Sequence, residues 1–109
     1  MPDNLEVTAM LVRVGSATDV AAGKMRVFDV AGTAVNVASV DGHLYAVDDT
    51  CTHRGCSLAK GELRGTTVTC PCHGSQFDVT SGAVLRGPAA RPVRSRLVQV
   101  HGADLLVET

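Results

Sequence analysis

The sequence predicts an all-β fold, a small antiparallel β-sandwich or partly closed barrel. Two observations lead to this prediction: short valine-rich runs recur along the whole chain, and glycine or aspartate interrupts them at short intervals. No segment shows a convincing 3.6-residue apolar period, which an amphipathic helix would need. Many short strands at this spacing are typical of antiparallel sandwiches and small barrels.

The predicted strands follow one another in short steps. They cover residues 7–14, 24–30, 33–40, 43–47, 66–69, 76–79, 83–85, 93–100 and 104–108. Asp41-Gly42 is a strong signal for a two-residue hairpin turn because both residues tolerate a positive φ, and Ala31-Gly32 predicts a similar reversal. We expect two further hairpins, across residues 80–82 and 101–103.

Length and composition limit the possible functions. A chain of 109 residues predicts one domain, residues 1–109, with a core that is adequate but not large. The net charge of −1 argues against nucleic acid or an anionic membrane as the partner, since both attract a basic surplus. The first residues lack the features of a secretory signal, and no apolar run is long enough to span a bilayer. We therefore expect no membrane anchor and a cytoplasmic location.

Two segments combine thiols with imidazoles. Residues 51–56 read Cys-Thr-His-Arg-Gly-Cys, and residues 70–75 read Cys-Pro-Cys-His-Gly-Ser. The first supplies Cys51 and His53 in a Cys-x-His spacing, and the second supplies Cys70 and His73 in a Cys-x-x-His spacing. Two thiolates and two imidazoles can hold either zinc or an iron–sulfur cluster, and the sulfur content alone does not separate the two.

The residues around these donors are more specific than the donors themselves. The two segments resemble the paired cluster-binding loops of Rieske [2Fe–2S] proteins, down to the second cysteine of each segment and the Gly-Ser pair after the last histidine. This resemblance implies the Rieske fold, with the two loops at one end of the sheets, and one [2Fe–2S] cluster per chain. It further implies that Cys51 and Cys70 bind one iron while His53 and His73 bind the other. The alternative is structural zinc in a zinc-stabilised interaction domain.

The remaining cysteines, Cys56 and Cys72, have three interpretations: ligands, ordinary buried thiols, or a disulfide. The resemblance to the Rieske proteins of cytochrome bc complexes implies a disulfide that joins the two loops, whereas many ferredoxins of ring-hydroxylating oxygenases lack this pair. A ring of this size stabilises a fold by roughly 3 kcal/mol. The pair therefore keeps a respiratory-type Rieske protein, or its soluble relative, as an alternative.

Three further features of the resemblance concern the cluster's surroundings. In the family, a serine at the position of Ser75 donates to a bridging sulfide, and high-potential members carry tyrosine at the position of Phe77. Donors to sulfur stabilise the reduced cluster and raise its potential, so the phenylalanine implies a potential below that of the respiratory members. A third loop, residues 86–92, resembles the family's Gly-Pro-Ala loop, in which Gly87, Pro88 and Ala89 would shield one side of the cluster. A plain proline-rich connection between strands is the alternative.

The resemblance predicts an electron carrier and not an enzyme. His43 and His101 are expected at separate surface turns, and the chain has no second domain, so it cannot build the mononuclear iron site of an oxygenase. The implied partners are a flavoprotein, NAD(P)H-dependent ferredoxin reductase and a terminal oxygenase or other redox enzyme. A subunit of a larger reductase is a further alternative. We expect the charges near the loops to offset one another in a mixed surface (Arg54, Lys60, Arg64, Arg86 and Arg91 against Asp48, Asp49, Glu62 and Asp78).

Overall fold

Short strands make up about half of the part of the chain that the structure describes. The computed structural model describes residues 10–109. The strands are β1 (Leu11–Ser16), β2 (Met25–Val30), β3 (Thr33–Val40), β4 (His43–Asp48), β5 (Glu62–Arg64), β6 (Thr67–Thr69), β7 (Gln76–Asp78), β8 (Val84–Arg86), β9 (Ser95–Arg96), β10 (Val98–His101) and β11 (Asp104–Glu108), with short 3₁₀ helices at Ala17–Asp19 and Leu58–Lys60. Within residues 10–109, no helix has the length and apolar character that a membrane crossing requires.

The strands form three antiparallel sheets. Their orders are β2-β3-β4-β9, β1-β11-β10 and β5-β6-β7-β8. Since successive residues of a strand point to opposite faces, β3 sends Val35 and Val37 to one buried core and Ala38 to another. The first core also contains Leu105 of β11, and the second contains Val68 of β6. The central sheet is therefore covered on both faces, and the predicted antiparallel all-β fold is confirmed as an arrangement of open sheets.

Both two-residue turns occur as predicted. Ala31 and Gly32 have φ values of 52° and 90°, and Asp41 and Gly42 have 50° and 82°. Positive φ at both central residues is the conformation that connects tightly paired, right-twisted strands. These turns fix the register of β2, β3 and β4, and β4 leads directly into the segment that contains Cys51.

One strand prediction was wrong, and one strand was missed. The predicted strand at 93–100 is two strands, β9 paired with β4 and β10 paired with β11. The chain changes sheets here because Arg96 is buried and its Nε donates to Asp48 Oδ1 at 2.6 Å, while Leu97 turns to solvent. The strand β5 was missed because it is short and two of its three residues are exposed and charged. Residues 7–9 of the first predicted strand lie outside the described residues.

Candidate metal centre

The two Cys/His segments form loops of the same construction. The first loop, residues 51–56, follows β4, and the second, residues 70–75, connects β6 to β7. In the first, Cys51 N–H donates to the Cys56 carbonyl at 2.9 Å. In the second, Cys70 N–H donates to the Ser75 carbonyl at 2.8 Å. The sequence shows no obvious repeat here, yet each loop is a six-residue turn that begins with a ligand-type cysteine.

A glycine at the fifth position allows each turn to close. Gly55 has φ +78° and its N–H donates to the Cys51 carbonyl, while Gly74 has φ +80° and its N–H donates to the Cys70 carbonyl. Residues with a Cβ rarely adopt this left-handed conformation, which explains why glycine occupies the fifth position of both loops. The equivalent closure places Cys51 and Cys70 at matching positions of the two loops.

The loops place the four predicted donors as two like pairs. Cys51 and Cys70 are 2% and 3% exposed and belong to the same buried cluster. His53 and His73 are both exposed, with ring centroids 5.4 Å apart and ring planes at 81°. The sulfur pair is thus inside the protein, and the imidazole pair is at its surface.

The environment of Cys70 opposes a free thiolate. Burial raises the pKa of the Cys70 thiol, and the neighbouring Cys51 thiol acts in the same direction. Backbone N–H groups of Cys72 and His73 lie against this sulfur and partly offset the effect on the pKa. Such N–H groups stabilise negative charge on sulfur, as a thiolate ligand requires. A bound cation would add to this stabilisation and favour the thiolate over the thiol.

A buried carboxylate supports the first loop. Asp49 is 4% exposed; its carboxylate accepts hydrogen bonds from the Ala59 N–H, at 2.8 Å, and from the Ser57 hydroxyl. Its backbone carbonyl also accepts from the Leu58 N–H at 2.8 Å. These contacts hold the 3₁₀ helix after the loop against the end of β4. Asp49 was expected at the surface, and that expectation was wrong.

The third loop, residues 86–92, is attached to both ligand loops. The Ala89 N–H donates to the Ser75 hydroxyl oxygen at 2.9 Å, and the Thr52 hydroxyl donates to the Arg91 carbonyl at 2.6 Å. Ala89 is 4% exposed and packs in the same cluster as Cys51. The bond from Ala89 leaves the proton of the Ser75 hydroxyl available to another acceptor.

The other residues that were predicted to lie around the cluster differ in exposure. Gly87 and Pro88, joined by a cis peptide bond, are exposed, so of this trio only Ala89 is buried. Phe77 of β7 is fully buried in the cluster that contains Cys51 and Cys70. Phe77 is therefore a core residue, and it packs in the same cluster as the two cysteines that are predicted to bind the [2Fe–2S] group.

A disulfide joins the ligand loops. Cys56, half-buried in the first loop, is bonded to Cys72, exposed in the second, with their Cα atoms 6.5 Å apart. The Cys70 sulfur lies within 4.8 Å of both disulfide sulfurs. Because sulfurs bonded to each other are not thiolate donors, these three cysteines do not form a separate metal site. Cys51 and Cys70 remain the free cysteines of the chain.

The donor set fits a [2Fe–2S] group better than one zinc ion. Zinc requires four donors around a single point, whereas two irons need one pair of donors each. Here the thiols are paired in the interior and the imidazoles are paired at the surface, which is the division that a mixed-ligand [2Fe–2S] group requires.

Comparison with known proteins decides between these possibilities. The family model of the Rieske [2Fe–2S] domain matches residues 10–100. The chain belongs to the Rieske family. The cofactor of this family is a [2Fe–2S] cluster, and the zinc-stabilised interaction domain is no longer an alternative.

Three Rieske relatives illustrate the similarity. The ferredoxin component of biphenyl 2,3-dioxygenase from Rhodococcus jostii (strain RHA1) is 34% identical over 98 residues, which is 90% of this chain and 92% of the relative. The ferredoxin of carbazole 1,9a-dioxygenase from Nocardioides aromaticivorans IC177 superposes with a TM-score of 0.85 at 33% identity, covering 89% and 95% of the two chains. A plasma membrane Rieske protein from Synechocystis PCC 6803 gives 0.69 at 36% identity, covering 90% and 99%. The two ferredoxins are electron-transfer components, as the sequence predicts for this Rieske chain.

Proposed function

We propose that this chain is a Rieske ferredoxin. It takes one electron from a flavoprotein, NAD(P)H-dependent reductase and passes it to a terminal oxygenase or similar redox enzyme. The observation that supports this most strongly is the pairing of buried thiols and exposed imidazoles on two matched loops, in a chain whose relatives are ferredoxin components of dioxygenases.

We assign the ligands residue by residue. Cys51 and Cys70 would hold one iron, and His53 and His73 the other. When bound, the cluster supplies a one-electron redox couple. The burial of the two sulfurs excludes water from one side, and the exposure of the two imidazoles provides a short route between the cluster and a partner protein.

Two further assignments complete the proposal. Residues 1–109 would act as one domain, because each outer sheet packs against the central sheet and shares a core with it. A cytoplasmic location would place the carrier with the nicotinamide cofactor that its reductase oxidises.

Reconstituted electron transfer tests the function. NADH, a flavoprotein ferredoxin reductase from a dioxygenase system and cytochrome c are mixed with and without the purified protein. We expect cytochrome c reduction to depend on the protein and to be lost in the cluster-free His73→Ala variant. Equal rates with the wild type and this variant would exclude the proposed function.

A respiratory-type Rieske protein, or its soluble relative, is the second candidate. The disulfide between Cys56 and Cys72 favours it, since that pair matches the motif of the cytochrome bc members. Phe77 disfavours it, because the hydroxyl donor of the high-potential members is missing. The midpoint potential separates the two: a ferredoxin is expected in the lower half of the roughly −150 to +300 mV range of Rieske centres.

Two substitutions are predicted to move this potential in opposite directions. Phe77→Tyr places a hydroxyl in the core around Cys51 and Cys70, and a hydrogen bond to a charged acceptor is worth about 1.5–3 kcal/mol. A tenfold change in a one-electron equilibrium corresponds to about 59 mV, so we expect an upward shift of tens of millivolts. Ser75→Ala removes a buried hydroxyl and should lower the potential by a similar amount. Protein-film voltammetry measures both.

Phe28→Tyr is the matched control for the aromatic substitution. Phe28 is buried in the other core, so the same added hydroxyl should leave the potential unchanged. An unchanged potential in Phe77→Tyr with an intact cluster would show that residue 77 does not face a cluster sulfur.

A further inference from the structure

We propose that the end of the protein with the ligand loops docks on an acidic face of its redox partner. This inference rests on the proposed function and specifies the chemistry of the partner's surface. Three exposed arginines carry it: Arg54, Arg86 and Arg91.

Hydrogen bonds and strand register place these arginines around the exposed imidazoles. Arg54 follows His53 directly in the first loop. The backbone of Arg91 is bonded to Thr52, on the other side of that histidine. Arg86 pairs with Gln76 across β7 and β8, and Gln76 directly follows the second loop, three residues after His73. The arginines therefore lie on three segments of the chain that meet at the ligand loops.

The acidic residues expected to offset these arginines are engaged elsewhere. Asp48 is paired with Arg96 at 2.6 Å, and Asp49 is buried with its carboxylate bonded to Ser57 and Ala59. The Asp78 carboxylate accepts from the N–H and the hydroxyl of Thr80, at 2.9 and 2.7 Å. Within residues 10–109 the other ion pairs also leave the three arginines out; they are Arg13–Asp104, Arg64–Glu62 and Arg94–Glu108.

The three loops themselves contain no acid. Residues 51–56, 70–75 and 86–92 include these arginines and neither aspartate nor glutamate. One flank does carry an acid, Glu62, which faces Thr69 across β5 and β6, but Lys60 lies two residues before it. The expectation of a mixed surface is therefore wrong for this end of the molecule.

The charge of the whole protein hides this asymmetry. The other seven basic and all eleven acidic residues lie outside the three loops, so the remainder carries a net charge of −4 while the loops carry +3. An oxidised [2Fe–2S] group with two thiolates and two imidazoles adds no net charge, because two ferric ions balance two sulfides and two thiolates. The electron exit is thus positively charged in a chain whose net charge is −1.

A positive electron exit favours one kind of partner. Complementary charge raises association rates about 10- to 1,000-fold and orients the approaching molecules. Because the imidazoles are the exposed part of the site, a partner with acidic side chains around its own redox centre would be guided to the productive face. A partner with a basic face would be repelled from it.

Monolayer-coated gold electrodes provide defined acidic and basic surfaces for the test. At low ionic strength we expect the wild-type protein to exchange electrons with a carboxylate-terminated monolayer at least about tenfold faster than with an amine-terminated monolayer of the same length. Salt should remove the difference, since the Debye length falls from about 30 Å at 0.01 M to about 3 Å at 1 M. The salt concentration that elutes the protein from a carboxymethyl resin gives a second, redox-independent readout.

Two charge-reversed variants separate local charge from net charge. Arg54→Glu and Lys24→Glu change the net charge equally. Lys24, however, lies far from the ligand loops: its carbonyl accepts from the Ser39 N–H beside the β3–β4 turn, about 20 Å along β4 from the first loop. We expect Arg54→Glu to slow exchange with the carboxylate surface several-fold and to elute earlier, and Lys24→Glu to match the wild type in both readouts.

Two results would overturn the proposal: faster exchange of the wild type on the amine surface, or equal losses in Arg54→Glu and Lys24→Glu. A different result would show that the proposed function itself is wrong. A protein that gives no reversible cluster signal on either surface is not an electron carrier, whereas a signal confined to the amine surface keeps the carrier and rejects only the acidic partner.

Discussion

Alanine in place of Cys51, His53, Cys70 or His73 is expected to give protein without its [2Fe–2S] cluster. Each of these residues would supply one of only four protein donors, so each substitution would leave the cluster with three. Iron and acid-labile sulfide should fall from two of each per chain to near zero, with loss of the visible absorption. His43→Ala is the matched control, because His43 lies at a surface turn; it should retain both.

The exposure of the donors predicts a difference among these variants. His53 and His73 are exposed, so added imidazole can enter the space left by alanine and restore the cluster during reconstitution. Cys51 and Cys70 are 2% and 3% exposed, and small thiols should not rescue their variants. A fully loaded His73→Ala protein without imidazole would contradict the ligand assignment.

Loss of the disulfide is expected to have the largest effect on stability. Cys56 and Cys72 are separated by 16 residues, and a ring of that size stabilises a fold by about 3 kcal/mol through its effect on the unfolded chain. The double variant Cys56→Ser/Cys72→Ser should therefore unfold about 12–24 °C lower, since each kcal/mol shifts the midpoint of a domain of this size by about 4–8 °C. Calorimetry of the cluster-loaded proteins measures the shift.

The exposure of Cys72 supplies a control for this prediction. Because Cys72 is exposed, a phosphine reductant should lower the wild-type midpoint toward that of the double variant and leave the variant unchanged. The intact mass of the untreated wild type should be two hydrogens below that of the reduced chain. Equal midpoints for wild type and double variant would show that the disulfide adds nothing to stability.

Local signals in the sequence account for the parts of the fold that were predicted. Ala31-Gly32 and Asp41-Gly42 set their turns through the φ values of the two residues involved, so the hairpins could be read from the chain alone. The split of residues 93–100 could not, because it depends on the ion pair between Arg96 and Asp48, which are 48 residues apart. Nothing local marks that arginine as buried.

The same distinction applies to the site. The donors could be named from their spacing, since metal ligands must be particular residue types, but their division into a buried and an exposed pair depends on where β4 and β6 end. Thr52 was missed because its partner, the Arg91 carbonyl, is a backbone atom 39 residues away. The burial of Asp49 was missed for the same reason, because the backbone N–H that its carboxylate accepts from belongs to Ala59, ten residues further along the chain.

Nitrogen hyperfine spectroscopy of the reduced protein tests the central claim most directly. After one-electron reduction the added electron is expected to reside mainly on the iron that His53 and His73 would hold, because neutral imidazoles leave that iron less electron-rich than thiolates do. The electron paramagnetic resonance signal should therefore show strong coupling to two ¹⁴N nuclei, replaced by ¹⁵N couplings when the histidines are labelled. A reduced cluster without nitrogen coupling, or a protein without any signal, would contradict the assignment of His53 and His73 as ligands of a Rieske centre.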